Sequence, residues 1–145
     1  IASGLPYQII VPNNIYGPRQ KNHFVDEFIA RAKTGNIALY GWENTRSWLY
    51  VEDFTEAIER LINSKSAVDE KINIGSNDEV EVLKLAEIII QHMGIDKPIE
   101  KHDAPEGSVA RRMPDITKIK SLTQWEPTTS LEEGLKITVE WYMAQ

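Results

Sequence analysis

Thr45-Arg46-Ser47-Trp48-Leu49-Tyr50-Val51-Glu52-Asp53 is the stretch on which the reading of this chain turns. A cation, two aromatics and an acidic pair lie directly ahead of a helical pattern. Before them comes a Gly-containing turn, Tyr40-Gly41-Trp42-Glu43-Asn44. This order predicts Arg46 on a loop entering a short strand, which the following helix anchors. An Arg held this way suits a phosphate, because its planar fork makes paired, charge-assisted hydrogen bonds. The alternative is a surface ion pair with Glu43 or Glu52.

Working outward on the amino-terminal side, Tyr7-Gln8-Ile9-Ile10-Val11-Pro12 reads as a buried β-branched strand that Pro12 ends. The turn-rich loop Asn13–Gln20 follows it. Loops at the carboxyl ends of buried strands are where α/β proteins place ligands. Asn22 is positioned to cap a helix with the apolar face Phe24, Val25, Phe28, Ile29 and Ala32, stopped by Gly35. Ile37–Tyr40 is a short strand.

On the carboxyl side, Phe54, Ala57, Ile58, Leu61 and Ile62 define the next helix, with Glu56 and Arg60 outside and Asp53 as its expected cap. Lys71–Gly75 is a strand, and a helix from Val80 to about Gly94 follows. Residues 95–114 read as a long ordered loop with a strand at Ile99-Glu100-Lys101. Asp115 is the expected cap of a short helix, and Ser130-Leu131-Glu132-Glu133 is a capping box for the last one.

The 145 residues are the size of one domain, and the pattern is α/β. A net charge of −6 argues against general nucleic-acid binding and against an anionic membrane surface. There is no cysteine, hence no disulfide and no thiolate metal site. None of the eight glycines forms G-x-G-x-x-G or a P-loop, and no serine sits in a G-x-S-x-G elbow. His23, His92 and His102 stand apart without metal-ligand spacing. Trp48, Trp125 and Trp141 read as packing residues. What remains is a polar set from loops at strand ends: Asn14, Arg46, Asn73, Arg111 and Arg112. Amides that donate and accept, with fixed positive charge beside them, suit a small polyanion bearing hydroxyls.

Six short pieces, in order, give the chain a family likeness. They are Asn14-Ile15-Tyr16-Gly17-Pro18-Arg19-Gln20, the Thr45–Asp53 stretch, Asn73-Ile74-Gly75-Ser76, Arg111–Lys118, Leu122–Pro127 and Leu131–Leu135. The sequence resembles the carboxyl-terminal part of the extended short-chain dehydrogenase/reductase family, the NAD-dependent nucleotide-sugar epimerases, 4,6-dehydratases and decarboxylases. The resemblance implies the last strand of an NAD-binding Rossmann-like sheet plus a small mixed α/β substrate-binding domain. The expected division is residues 1–20 for the strand and substrate loop and 21–145 for the nucleotide-sugar region.

It also implies roles. Asn14 would bind the sugar or its diphosphate beside the nicotinamide, which the main chain at Pro12 would pass. Val25 would touch the diphosphate through its backbone, and Tyr40 would pack near the base. Arg46 and one of Arg111 or Arg112 would hold the diphosphate and ribose, with Asn73 near the nucleotide. The implied cofactor is NAD and the implied substrate a UDP- or dTDP-hexose, with 4-epimerase as the default reaction. The full-length protein is expected to be a cytoplasmic homodimer.

The family's Tyr-x-x-x-Lys pair and glycine-rich cofactor turn are missing: no lysine lies four residues after any of the tyrosines. The chain therefore reads as a fragment, inactive alone and prone to self-association through an exposed strand. A non-catalytic nucleotide-sugar binding or interaction module is the alternative.

Overall fold

The computed structural model describes residues 4–145, so the first three residues of the expected 1–20 segment lie outside the described residues. The order opens with strand β1 (Gln8–Pro12), strand β2 (Ile15–Tyr16), helix α1 (Phe24–Lys33) and strand β3 (Ala38–Tyr40). Strands β4 (Thr45–Ser47) and β5 (Leu49–Tyr50) lead directly into helix α2 (Val51–Ile62). Then come β6 (Glu70–Ile74), β7 (Glu79–Glu81), α3 (Val82–His92), β8 (Glu100–His102), β9 (Arg111–Arg112), α4 (Thr117–Thr123) and α5 (Leu131–Met143).

The strands form small sheets. β1 pairs parallel with β6, placing Val11 beside Asn73. β2 pairs parallel with β5, and β3 with β8. β4 is central to the remaining sheet, antiparallel to β7 and parallel to β9. Thus the expected loop over 95–114 contributes two strands, each pairing with an element that borders the Gly41 turn.

Two apolar clusters hold these pieces. In one, α1, α3 and α5 close over Phe28, Ile29, Leu85, Ile89, Leu135 and Val139, with Tyr16 and Tyr50 entering from β2 and β5. The other packs Leu61 of α2 and Ile119 of α4 against Ile72 and Ile74 of β6, around the fully buried Trp125. Complete burial of such side chains stabilises the fold by about 1.5–3 kcal/mol each. Gly134 of α5 lies against the Tyr16 ring so closely that a Cβ would overlap the phenol. Glu56 and Arg60 pair at 2.6 Å on the outer face of α2, as their spacing predicts.

Four expectations are corrected. Asn22 does not cap α1: it adopts φ 62°, His23 takes the cap position, and Asp26 accepts from the N–H groups of both at 2.9 Å. The acid in the first turn does the capping that the amide does not. Asp53 does not cap α2, which begins at Val51 after Tyr50. It lies inside the first turn, 3% exposed, and reaches across the chain to residues 128 and 129. Strand β1 is only half-buried, with Ile9 42% exposed, because β6 covers one edge and no described strand covers the other. Val80 lies in β7 rather than in the helix that follows. Ser130 accepts from the Glu133 N–H at 3.2 Å, as the capping box predicts.

Candidate functional site

The loop between β1 and β2 is fastened to β4 and β5. Asn14 takes a left-handed conformation, φ 43°, which Asn tolerates better than most residues. Its Nδ2 donates to the Ser47 carbonyl at 2.8 Å, and its own carbonyl accepts from the Leu49 N–H at 3.1 Å. Further along, Gly17 runs against the start of α2, where a Cβ would overlap the Val51 side chain. At the far end of α5 the Tyr142 hydroxyl donates to the Gln20 carbonyl, while the Gln20 amide donates back to the Ile15 carbonyl. The loop is thus tied down at Asn14, Gly17 and Gln20.

Two cavities adjoin this loop and share Asn14, Ile15, Gln20 and His23 in their walls. The first, about 610 Å³, runs from Pro12 past Tyr16, Arg19 and Lys21 to Val51 and Arg112. The second, about 270 Å³, is bounded by Val25, Tyr40, Asn44, Arg46, Trp48 and Ser108. Tyr40, 56% exposed, stacks on His102 at 4.8 Å with the rings 20° apart.

Arg46 sits on β4 in the wall of the second cavity. Its guanidinium donates to the carbonyls of Thr45 at 2.7 Å and Ala110 at 3.1 Å, and to the Val109 carbonyl. Among the described residues it pairs with no carboxylate, so the surface ion pair with Glu43 or Glu52 does not form. Its neighbour across the parallel β4–β9 register is Arg112. Burial, and then the Arg112 charge, lower the Arg46 pKa from the usual arginine value. An arginine nevertheless remains charged at neutral pH. The two arginines are thus register neighbours, and neither has a carboxylate partner among the described residues.

Arg111 behaves differently. Its guanidinium makes a two-pronged pair with Glu79, at 2.8 and 2.9 Å, and Thr45 adds a hydroxyl donor to the same carboxylate. These hydrogen bonds hold the Glu79 carboxyl below its ordinary range. The double Arg in sequence therefore splits into one neutralised member and one facing the cavity. Asn73 also stands apart from both cavities: its Nδ2 donates to the Asp115 carbonyl at 3.2 Å and joins β6 to the segment before α4.

The structure thus gathers Pro12, Asn14 and Arg112 around one cavity and Asn14, Val25, Tyr40 and Arg46 around the other. Sequence reasoning passed over Arg19, Lys21, His23 and Gln20 as lining residues, and assigned Trp48 to packing only. The first four lie in or just after the loop already marked as a ligand position, which was the available signal. Among the described residues no group of three or more His, Asp or Glu is placed to hold a metal ion. Among the same residues no helix is long and apolar enough to cross a membrane.

A family model described as GDP-mannose 4,6 dehydratase matches residues 2–138. The chain is 38% identical over 157 residues to a UDP-N-acetyl-alpha-D-glucosaminuronate decarboxylase of Bacillus cytotoxicus, covering 96% of this chain and 47% of that protein. Among solved structures, UDP-glucose 4-epimerase of Thermotoga maritima, crystallised with UDP-glucose, superposes with TM-score 0.87 at 32% identity, over 97% of this chain and 47% of that one. The NAD complex of dTDP-glucose 4,6-dehydratase from Bacillus anthracis superposes with TM-score 0.81 at 34% identity, over 94% and 44%. The chain spans less than half the length of each of these relatives. It belongs to the extended short-chain dehydrogenase/reductase family of nucleotide-sugar epimerases, dehydratases and decarboxylases.

Proposed function

We propose that these residues form the substrate-binding part of an NAD-dependent nucleotide-sugar epimerase, dehydratase or decarboxylase. The observation that carries this reading is the carboxylate-free Arg46–Arg112 register pair, one arginine in the wall of each of two cavities that share Asn14. A diphosphate answers both guanidinium groups, each of which can make two parallel charge-assisted bonds. The nucleoside then occupies the cavity of Tyr40 and Trp48, and the sugar that of Tyr16 and Pro12. The side-chain oxygen of Asn14, without a protein partner among the described residues, accepts from a sugar hydroxyl.

The chemistry of the family needs a hydride acceptor, and bound NAD supplies it. Pro12 and Asn14 suit its nicotinamide end: they border the larger cavity at the carboxyl end of β1, a strand with one edge unpaired among the described residues. This chain contributes positioning and electrostatics. Arg46 and Arg112 fix the diphosphate, and Asn14 orients the sugar. The walls from Ile15 and Val51 exclude water from one side. With no Tyr-x-x-x-Lys pair in its sequence, the chain by itself is proposed to bind without turning substrate over. A co-crystal with UDP-glucose tests the assignment. A diphosphate within hydrogen-bond reach of Arg46 and Arg112 supports it, and a nucleotide lying elsewhere overturns it.

A further inference from the structure

Residues 103–110 form a strap along the second cavity, with Ser108 in its wall. Both ends are fixed. At one, the His102 carbonyl accepts from the Gly41 N–H at 3.0 Å, and the His102 ring stacks on Tyr40. At the other, the Ala110 carbonyl accepts from the Thr45 N–H at 2.8 Å, beside the β4–β9 pairing. Every residue between is exposed, Val109 included, so buried apolar surface does not hold the strap in place. Within it the Ser108 N–H donates to the Pro105 carbonyl at 3.0 Å. Its last two residues are gripped by Arg46, through the carbonyls of Val109 and Ala110.

An arginine side chain has five N–H donors. Three of those on Arg46 are engaged, with Thr45, Ala110 and Val109 as acceptors. The Nε–H and one N–H of Nη2 have no partner among the described residues. Nε and Nη2 are the atoms with which Arg111 grips Glu79, so the unused donors of Arg46 suit one oxyanion in a two-pronged pair. The three carbonyls have also removed rotamer freedom that the side chain would otherwise lose on binding. We infer that the strap 103–110 is a positioning element of this site: it orients the Arg46 guanidinium toward the diphosphate, and the anion in turn orders the strap through that same guanidinium. The inference rests on the diphosphate reading above. Coupling of this kind is reciprocal, so loosening the strap weakens anion binding, and binding the anion stiffens the strap. A phosphate that displaced the carbonyls would do the reverse and free the strap.

Hydrogen exchange of the backbone amides over residues 103–110, followed by mass spectrometry in the chain alone, with UDP and with uridine, tests the coupling. UDP is expected to slow exchange about threefold or more, and uridine to leave it unchanged. In Arg46→Lys, which keeps the charge but not the fork, UDP no longer slows it. Pro105→Gly loosens the exposed strap without altering either cavity wall, and should weaken UDP binding about threefold while uridine affinity holds. Strap exchange that is unchanged or faster with bound UDP, equal slowing by uridine, or a UDP affinity untouched by Pro105→Gly overturns the inference while the diphosphate reading stands. No preference for UDP over uridine overturns both.

Discussion

Arg46 and Arg112 face one another as register partners on neighbouring parallel strands, and no carboxylate among the described residues neutralises either. Like charges this close oppose folding slightly and repay it only when an anion arrives. Arg112→Gln is therefore expected to leave stability unchanged or raise it by up to about 0.5 kcal/mol. The same variant should weaken UDP binding by about 1.5–3 kcal/mol, the worth of a hydrogen bond to a charged group. Arg111→Gln breaks only the Glu79 pair at the surface and should leave UDP affinity within about twofold. Parallel thermal melts and titrations decide the matter, and equal losses of binding in the two variants would show that the split between the arginines is misread.

Asp53 ties the start of α2 to the approach of α5. Its oxygens accept from the Thr128 N–H at 3.1 Å, the Thr128 hydroxyl at 3.0 Å and the Thr129 N–H at 3.1 Å. Asn in its place keeps one acceptor and points a donor at a donor. Asp53→Asn should cost about 2 kcal/mol in urea unfolding, since two part-buried N–H groups and a hydroxyl lose a charged partner. A cost below about 0.5 kcal/mol would mean that the bridge between residues 53 and 128 contributes little.

Gly17 passes the Val51 side chain too closely for any Cβ. Gly17→Ala should destabilise the chain by about 1–3 kcal/mol through overpacking. Val51→Ala removes the methyl that would stand closest, so the double variant should recover part of that loss, while the positive φ of position 17 and the Val51 Cβ keep the rest. Strict additivity in this cycle would exclude the contact as the cause.

Alkaline pH exposes the buried phenols. Burial, then the charges of Tyr50 and Asp53, push the Tyr16 hydroxyl well above its usual value of 10. Tyr50 and Tyr142 shift the same way, again chiefly through burial. In each case the native state keeps its proton while the unfolded chain releases it. The contribution to stability is complete below pH about 10 and is lost as pH climbs past it. The urea midpoint should fall between pH about 9 and 11, and Tyr16→Phe should flatten that fall. An unchanged slope in the variant would assign the effect elsewhere.

Legibility in the sequence followed the reach of each interaction. The α1 face of Val25, Phe28, Ile29 and Ala32 and the Ser130 cap were legible because their signals lie within a turn or two of helix. The loop after β1 was legible from turn residues behind a β-branched run. The two-residue strand β9 was not, since its order comes from pairing with β4, some 66 residues earlier, as Thr45 meets Arg111. The partner of Asp53 lies 75 residues away, so local rules mistook a long-range bridge for a cap. The choice between Arg111 and Arg112 likewise depended on Glu79, which only the fold brings beside one of them.

Arg46 is proposed to make this a diphosphate site, and calorimetric titration of UDP against uridine tests that role most directly. In the wild-type chain UDP should bind at least tenfold more tightly than uridine, and Arg46→Ala should erase most of that difference while uridine affinity holds. Equal affinity for UDP and uridine in the wild-type chain, or an Arg46→Ala variant that still prefers UDP as strongly, would contradict it.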